Sequence, residues 1–109
     1  MTEPAVSDVV KEWFDGEHTM FDVVQDTPEV AWLAILQILE RDLTEEQTAV
    51  LAAGPLEDLL AQHGSQFIER IEHEAQRSPR FNHLLGGVWR HEMPLEIWER
   101  VQKARREVW

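Results

Sequence analysis

The stretch Leu51–Gly64, LAAGPLEDLLAQHG, carries the densest structural punctuation in the chain and limits what can be built around it. Gly54 can take the left-handed conformation that closes a helix, and Pro55, which lacks an N–H, cannot continue one. Gly64 is a second stop nine residues on. The stretch therefore predicts a corner made of Gly54, Pro55 and Gly64, with a short helix between that docks through Leu56, Leu59 and Leu60. A bulky residue such as Val at Gly54 is expected to cost stability there.

Helical signals continue on both sides. Val6, Val9, Val10, Trp13 and Phe14 form one stripe at helical spacing, which predicts a first helix over 4–14 ended by Asp15 and Gly16. A short helix is expected within 17–27. Thr27-Pro28-Glu29 reads as cap, first-turn proline and an acid at the positive end of a dipole. The helix it opens, reaching about Asp42, is apolar nearly all round through Trp32, Ile35, Leu36, Leu39 and their neighbours, which predicts a central position. Thr44-Glu45-Glu46-Gln47 matches a capping box for a helix to Ala53 that packs through Val50 and Leu51. Ser65 is the expected cap of a helix over Gln66–Arg77, and Pro79 opens a sixth that Gly86-Gly87 breaks. Pro94 opens the last, with Leu95, Ile97, Trp98, Val101, Ala104 and Val108 as core candidates. No segment alternates as a strand does. The reading is an all-α single domain over 1–109, a compact bundle or short stack of helical hairpins with about six to seven helices.

Part of the pattern resembles a known family. Trp32 and Leu36, the run Gly54-Pro55-Leu56-Glu57-Asp58-Leu59-Leu60, His63-Gly64, Phe67-Ile68, Pro79, Phe81, Leu84-Leu85, Val88-Trp89 and Ile97-Trp98 are similar to a group of small bacterial domains of unknown function. The resemblance covers roughly 28–104 and leaves 1–27 outside. It implies a bacterial, compact, helical domain and transfers no activity or functional residue.

Charge narrows the function classes. The net charge is −11, and residues 1–55 hold 12 acids against only Lys11 and Arg41. Residues 56–109 hold 9 acids against 8 bases. Direct nucleic-acid binding needs a positive patch, so the first half is unsuited to it. With no cysteine, thiolate chemistry and Cys-based metal sites are excluded. The segment MTEPAVSDVV has no basic n-region or apolar h-region, and no apolar run approaches the ~20 residues of a membrane helix. A cytoplasmic protein without membrane contact is expected. There is no Gly-rich phosphate loop, nucleophile elbow or triad spacing, so no catalytic, cofactor or metal residue is assigned.

The leading reading is a non-enzymatic acidic interaction domain that binds a basic protein partner, of the immunity, antitoxin or inhibitor kind. Its candidate contacts are Glu57, Asp58, Trp13, Phe14, Asp15, Glu17, Asp22 and Asp26. Each has a plainer role: Glu57 and Asp58 can complement a helix dipole, Trp13 and Phe14 can dock the first helix, and the other acids can confer solubility. One alternative is a ligand-binding or enzymatic domain around Glu57, His63 and Arg90. Another is a structural homo-oligomer using the first helix. Glu69 and His73 are spaced to chelate a cation or to sit on a solvated face. Arg77, Arg80, His83, Arg90 and His91 can form an anion site with the Gly86-Gly87 amides, or neutralise the acidic half from within. Trp32, Trp89 and Trp98 are read as core.

Overall fold

The computed structural model describes residues 3–109. Seven α-helices and one π-helical turn follow in chain order, and no strand occurs among the described residues. They are α1 (Val6–Phe14), α2 (Thr19–Asp26), α3 (Pro28–Leu39), α4 (Glu45–Leu51), the π turn (Ala52–Leu56), α5 (Glu57–Arg77), α6 (Pro79–Leu85) and α7 (Leu95–Ala104). The all-α reading holds.

Helix α3 is the hub. Its Ala31, Ala34, Ile35 and Ile38 have no solvent exposure, and α1, α2 and α5 all pack on it. Trp32 lies edge-on to Phe81, centroids 5.6 Å apart, and tilted against Phe67 at 6.2 Å. Above Phe67, 4.9 Å from its centroid, sits the Arg70 guanidinium, held by both oxygens of Glu29 at 2.6 and 2.9 Å. Glu29 thus ties the start of α3 to α5, and the Arg70 hydrogen bond holds its carboxyl below the usual range.

The capping box forms as read: Thr44 N–H donates to Gln47 Oε1 and Gln47 N–H to Thr44 Oγ1, both at 3.0 Å. Ser78 Oγ accepts from Phe81 N–H and caps α6. Thr27 differs. Its hydroxyl turns back to the Val23 carbonyl at 3.3 Å, closing α2 rather than capping α3.

The largest departure is at the expected corner. Gly54 and Pro55 do not break the chain; they lie inside the π turn that carries α4 into α5. A proline in an α-helix clashes with the carbonyl four residues back. The wider turn relieves that clash, and Glu57 N–H bonds to the Ala52 carbonyl five residues behind it. The second expected stop falls where it was read, because two helical segments meet at His63 and Gly64. The backbone at His63 is non-helical (φ −133°, ψ 28°), so α5 is two helical segments joined at a kink, the second running to Arg77. Ser65 stands at the start of the second segment, as read, but its side chain makes no capping hydrogen bond among the described residues.

Other departures follow from the same packing. Val50, Leu95 and Val108 are more than half exposed, as is Trp89, while Val88 fills the core beside it. Helix α7 stops at Ala104, so Val108 belongs to an extended tail. Trp98 is half-buried beneath the Arg105 guanidinium, 4.8 Å from its ring.

Candidate binding groove beside α4

A groove of about 450 Å³ opens between the α1–α2 turn and the α4–α5 junction. Three things build it. Gly16, at φ +83°, turns the chain after α1, so α2 starts beside the end of α1. Trp13 and Phe14 dock on the core with one edge and meet each other edge-on at 5.0 Å, leaving the other edge to the groove. Opposite, the π turn and the start of α5 place Gly54, Pro55 and Asp58 along the floor. Phe21 and Val50, 57% and 52% exposed, form the walls.

Acids rim this apolar trough. Glu17, Glu46 and Asp58 line it, and no Lys or Arg does. Burial holds the half-buried Asp58 carboxyl above the usual carboxylate range, and His91 pulls it partly back. Because helical backbone runs through 52–57, no free helix N-terminus faces Asp58. The dipole role read for it from sequence has no structural basis. A carboxylate left half-buried with only His91 to offset the loss of solvation marks a binding-site candidate.

Four of the candidate contacts thus converge here: Trp13, Phe14, Glu17 and Asp58. Asp15, Asp22 and Asp26 are exposed nearby without lining the groove. Glu57 points elsewhere. Its Oε1 accepts the Trp89 backbone N–H at 2.8 Å, fixing the segment after α6. The residues of the enzymatic alternative lie outside this groove: none of Glu57, His63 and Arg90 lines it, and Arg90 Nε donates to the Met93 carbonyl. The His63 Nε2 is buried with no hydrogen-bond partner among the described residues.

Some basic residues of the second half pair within that half. Arg77 meets Glu74 and Arg100 meets Glu72, and His83 meets Glu107. Among the described residues, Arg70–Glu29 is the one ion pair that joins the two halves. Neutralisation from within therefore reaches only Glu29. The Gly86 and Gly87 amides are not free to serve the anion site read from sequence. They bond inward to His83 and Leu84 carbonyls and close α6. Glu69 and His73 are exposed on α5, and no third ligand joins them among the described residues.

Two functional-looking residues escaped sequence reading. Phe21 passed as an ordinary member of a short helix. Asn82, 5% exposed, links three elements: its amide donates to the Ala75 and Ala104 carbonyls, and its oxygen accepts from Arg106 N–H. A lone Asn in an apolar helix was the available signal for it.

With this geometry described, comparison adds a family. The chain belongs to a family of unknown function, DUF6869. The match runs over residues 3–108, so it takes in α1 and α2 as well as the stretch whose motifs suggested a family. Searches of curated proteins and of solved structures find no match. No helix among the described residues is long and apolar enough to cross a membrane.

Proposed function

We propose that the protein is a non-enzymatic interaction domain whose groove takes a basic, partly apolar segment of a protein partner. One observation carries this reading. The groove joins aromatic walls to three carboxylates with no Lys or Arg in its lining, the Arg41 guanidinium standing over the Phe14 ring at 5.2 Å, so an occupant gains from both burial and charge. Trp13 and Phe21 suit apolar side chains, and Glu17, Glu46 and Asp58 suit the lysines or arginines beside them. Immunity proteins, antitoxins and inhibitors of basic enzymes work with this chemistry, and an acidic face also speeds encounter with a basic one.

The test is an NMR titration with an amphipathic peptide helix of leucine and lysine. The expected result is a shift of the Trp13 indole and of the Glu46 and Val50 amides, weakened about tenfold or more in a Glu17→Lys/Glu46→Lys double variant. Equal binding of the matching leucine–glutamate peptide, or shifts confined to other surfaces, would end the reading.

A further inference from the structure

A second cleft, about 720 Å³, lies on the other side of α4. Leu43, Glu45, Thr48 and Ala49 form one wall, and His83 and Trp109 the other. Its outer wall is a built feature. Trp109 stacks on His83 at 5.2 Å, its indole N–H donates to the His83 carbonyl, and its backbone N–H donates to the Gly86 carbonyl. Gly86 and Gly87 are glycines because the tail lies on them. A Cβ on Gly87 would stand 2.6 Å from the Trp109 ring. The tail is thereby fixed with one indole edge open to solvent, 40% exposed.

Glu46 lines both clefts. Helix α4 is thus a ridge with a trough on each side. Phe21 and Val50 stand exposed on one flank and Trp109 on the other. Neither trough is lined by Lys or Arg, and the ridge carries Glu45 and Glu46. The charge pattern is continuous across the ridge, and so is the supply of apolar anchors.

Resting on the groove reading above, we propose that the partner crosses α4 and fills both clefts at once, as one basic amphipathic helix laid over the ridge from Phe21 to Trp109. Dimensions fit. Helix α4 has seven residues and is about 10 Å long, whereas a partner helix of about 18 residues spans about 27 Å. The molecule measures 29 × 23 Å across its shorter axes. A segment confined to the first groove would cover less than the roughly 800 Å² per partner of a stable complex.

Two leucine–lysine peptides of one repeat test this, a short helix-stapled one of about 9 residues and a long one of about 18. Both are titrated by calorimetry against the full chain and against Trp109→Ala and Glu45→Lys. These residues line the second cleft and not the first. The long peptide is expected to bind at least about tenfold tighter than the short one. Each variant should remove that gain and leave short-peptide affinity unchanged. Thermal melts of both variants confirm that they are folded, and Glu45→Lys, at an exposed position, keeps the test valid if Trp109→Ala loosens the tail. A long peptide no tighter than the short one, or a gain untouched by both variants, overturns the two-cleft interface while the groove reading stands. Failure of the short peptide at Trp13 defeats the groove reading instead.

Discussion

Asp58 is the residue at which stability and binding pull apart. Its folded carboxyl titrates above the unfolded value of about 3.9, because burial disfavours its charge. The native state therefore holds this proton more tightly than the unfolded chain does. The associated stability is present below the unfolded value and is lost as pH rises through the folded one. At neutral pH the ionised group is a cost, of about 1 kcal/mol or less at a half-exposed site. Asp58→Asn removes it. The variant should melt above the wild type at neutral pH, the difference closing in acid, and should bind a basic peptide more weakly. A gap in melting temperature that ignores pH would show that burial does not govern this carboxylate. Sequence brought Asp58 forward, but for a dipole that the through-running backbone removes. It also offered Glu57 as a partner contact or a dipole complement, and Glu57 instead holds the Trp89 amide. Such roles depend on which backbone groups are already paired, and spacing along the chain does not carry that information.

At the scale of elements, the stripes of α1, α3 and α7, the capping box of α4 and the proline starts of α3 and α6 were legible because each is encoded within a few residues. The junction of α4 and α5 was not. Gly-Pro is a strong breaker when an α-helix must end or continue with four-residue bonds, and a π turn is the third possibility that local signals miss. This changes what the two glycines do. Gly54 has negative φ, and a Cβ added there meets nothing within 4 Å. Gly64 faces α7, where an added Cβ would lie 3.0 Å from Ile97 Cγ1 and Cγ2. The demand for glycine expected at Gly54 thus belongs to Gly64, as close helix approach. Gly54→Ala should change stability by less than about 1 kcal/mol, the entropy removed from the unfolded chain being opposed by crowding of the new Cβ on the Pro55 ring. Gly64→Val should cost about 1–3 kcal/mol by forcing α5 from α7. Denaturant midpoints of the two variants check both; a Gly54→Ala loss as large as that of Gly64→Val would restore Gly54 as the corner.

For the whole molecule, the balance of charge decides how it answers salt. The chain carries −11, and the acidic half folds into α1–α4 with Glu29 its one carboxylate in an ion pair to the other half among the described residues. Four ion pairs among the described residues favour the folded state, all at surface or half-exposed positions where each contributes at most about 1 kcal/mol. Against them stands the mutual repulsion of the unpaired acids, which compaction increases. Salt screens both, with a Debye length of about 10 Å at 0.1 M and about 30 Å at 0.01 M. Contacting pairs are shorter than either length and lose little. Repulsion across a molecule 36 Å long is felt at low salt and largely removed at moderate salt. The melting temperature should therefore rise as sodium chloride goes from about 0.01 to 0.15 M, while affinity for a basic peptide falls over the same range. The two responses have one origin: the acidity that the fold leaves unneutralised is what a basic partner would neutralise. Calorimetric melts beside peptide titrations across the salt series check it. A melting temperature that falls with salt would mean that the ion pairs, and not the unpaired acids, set the electrostatic balance.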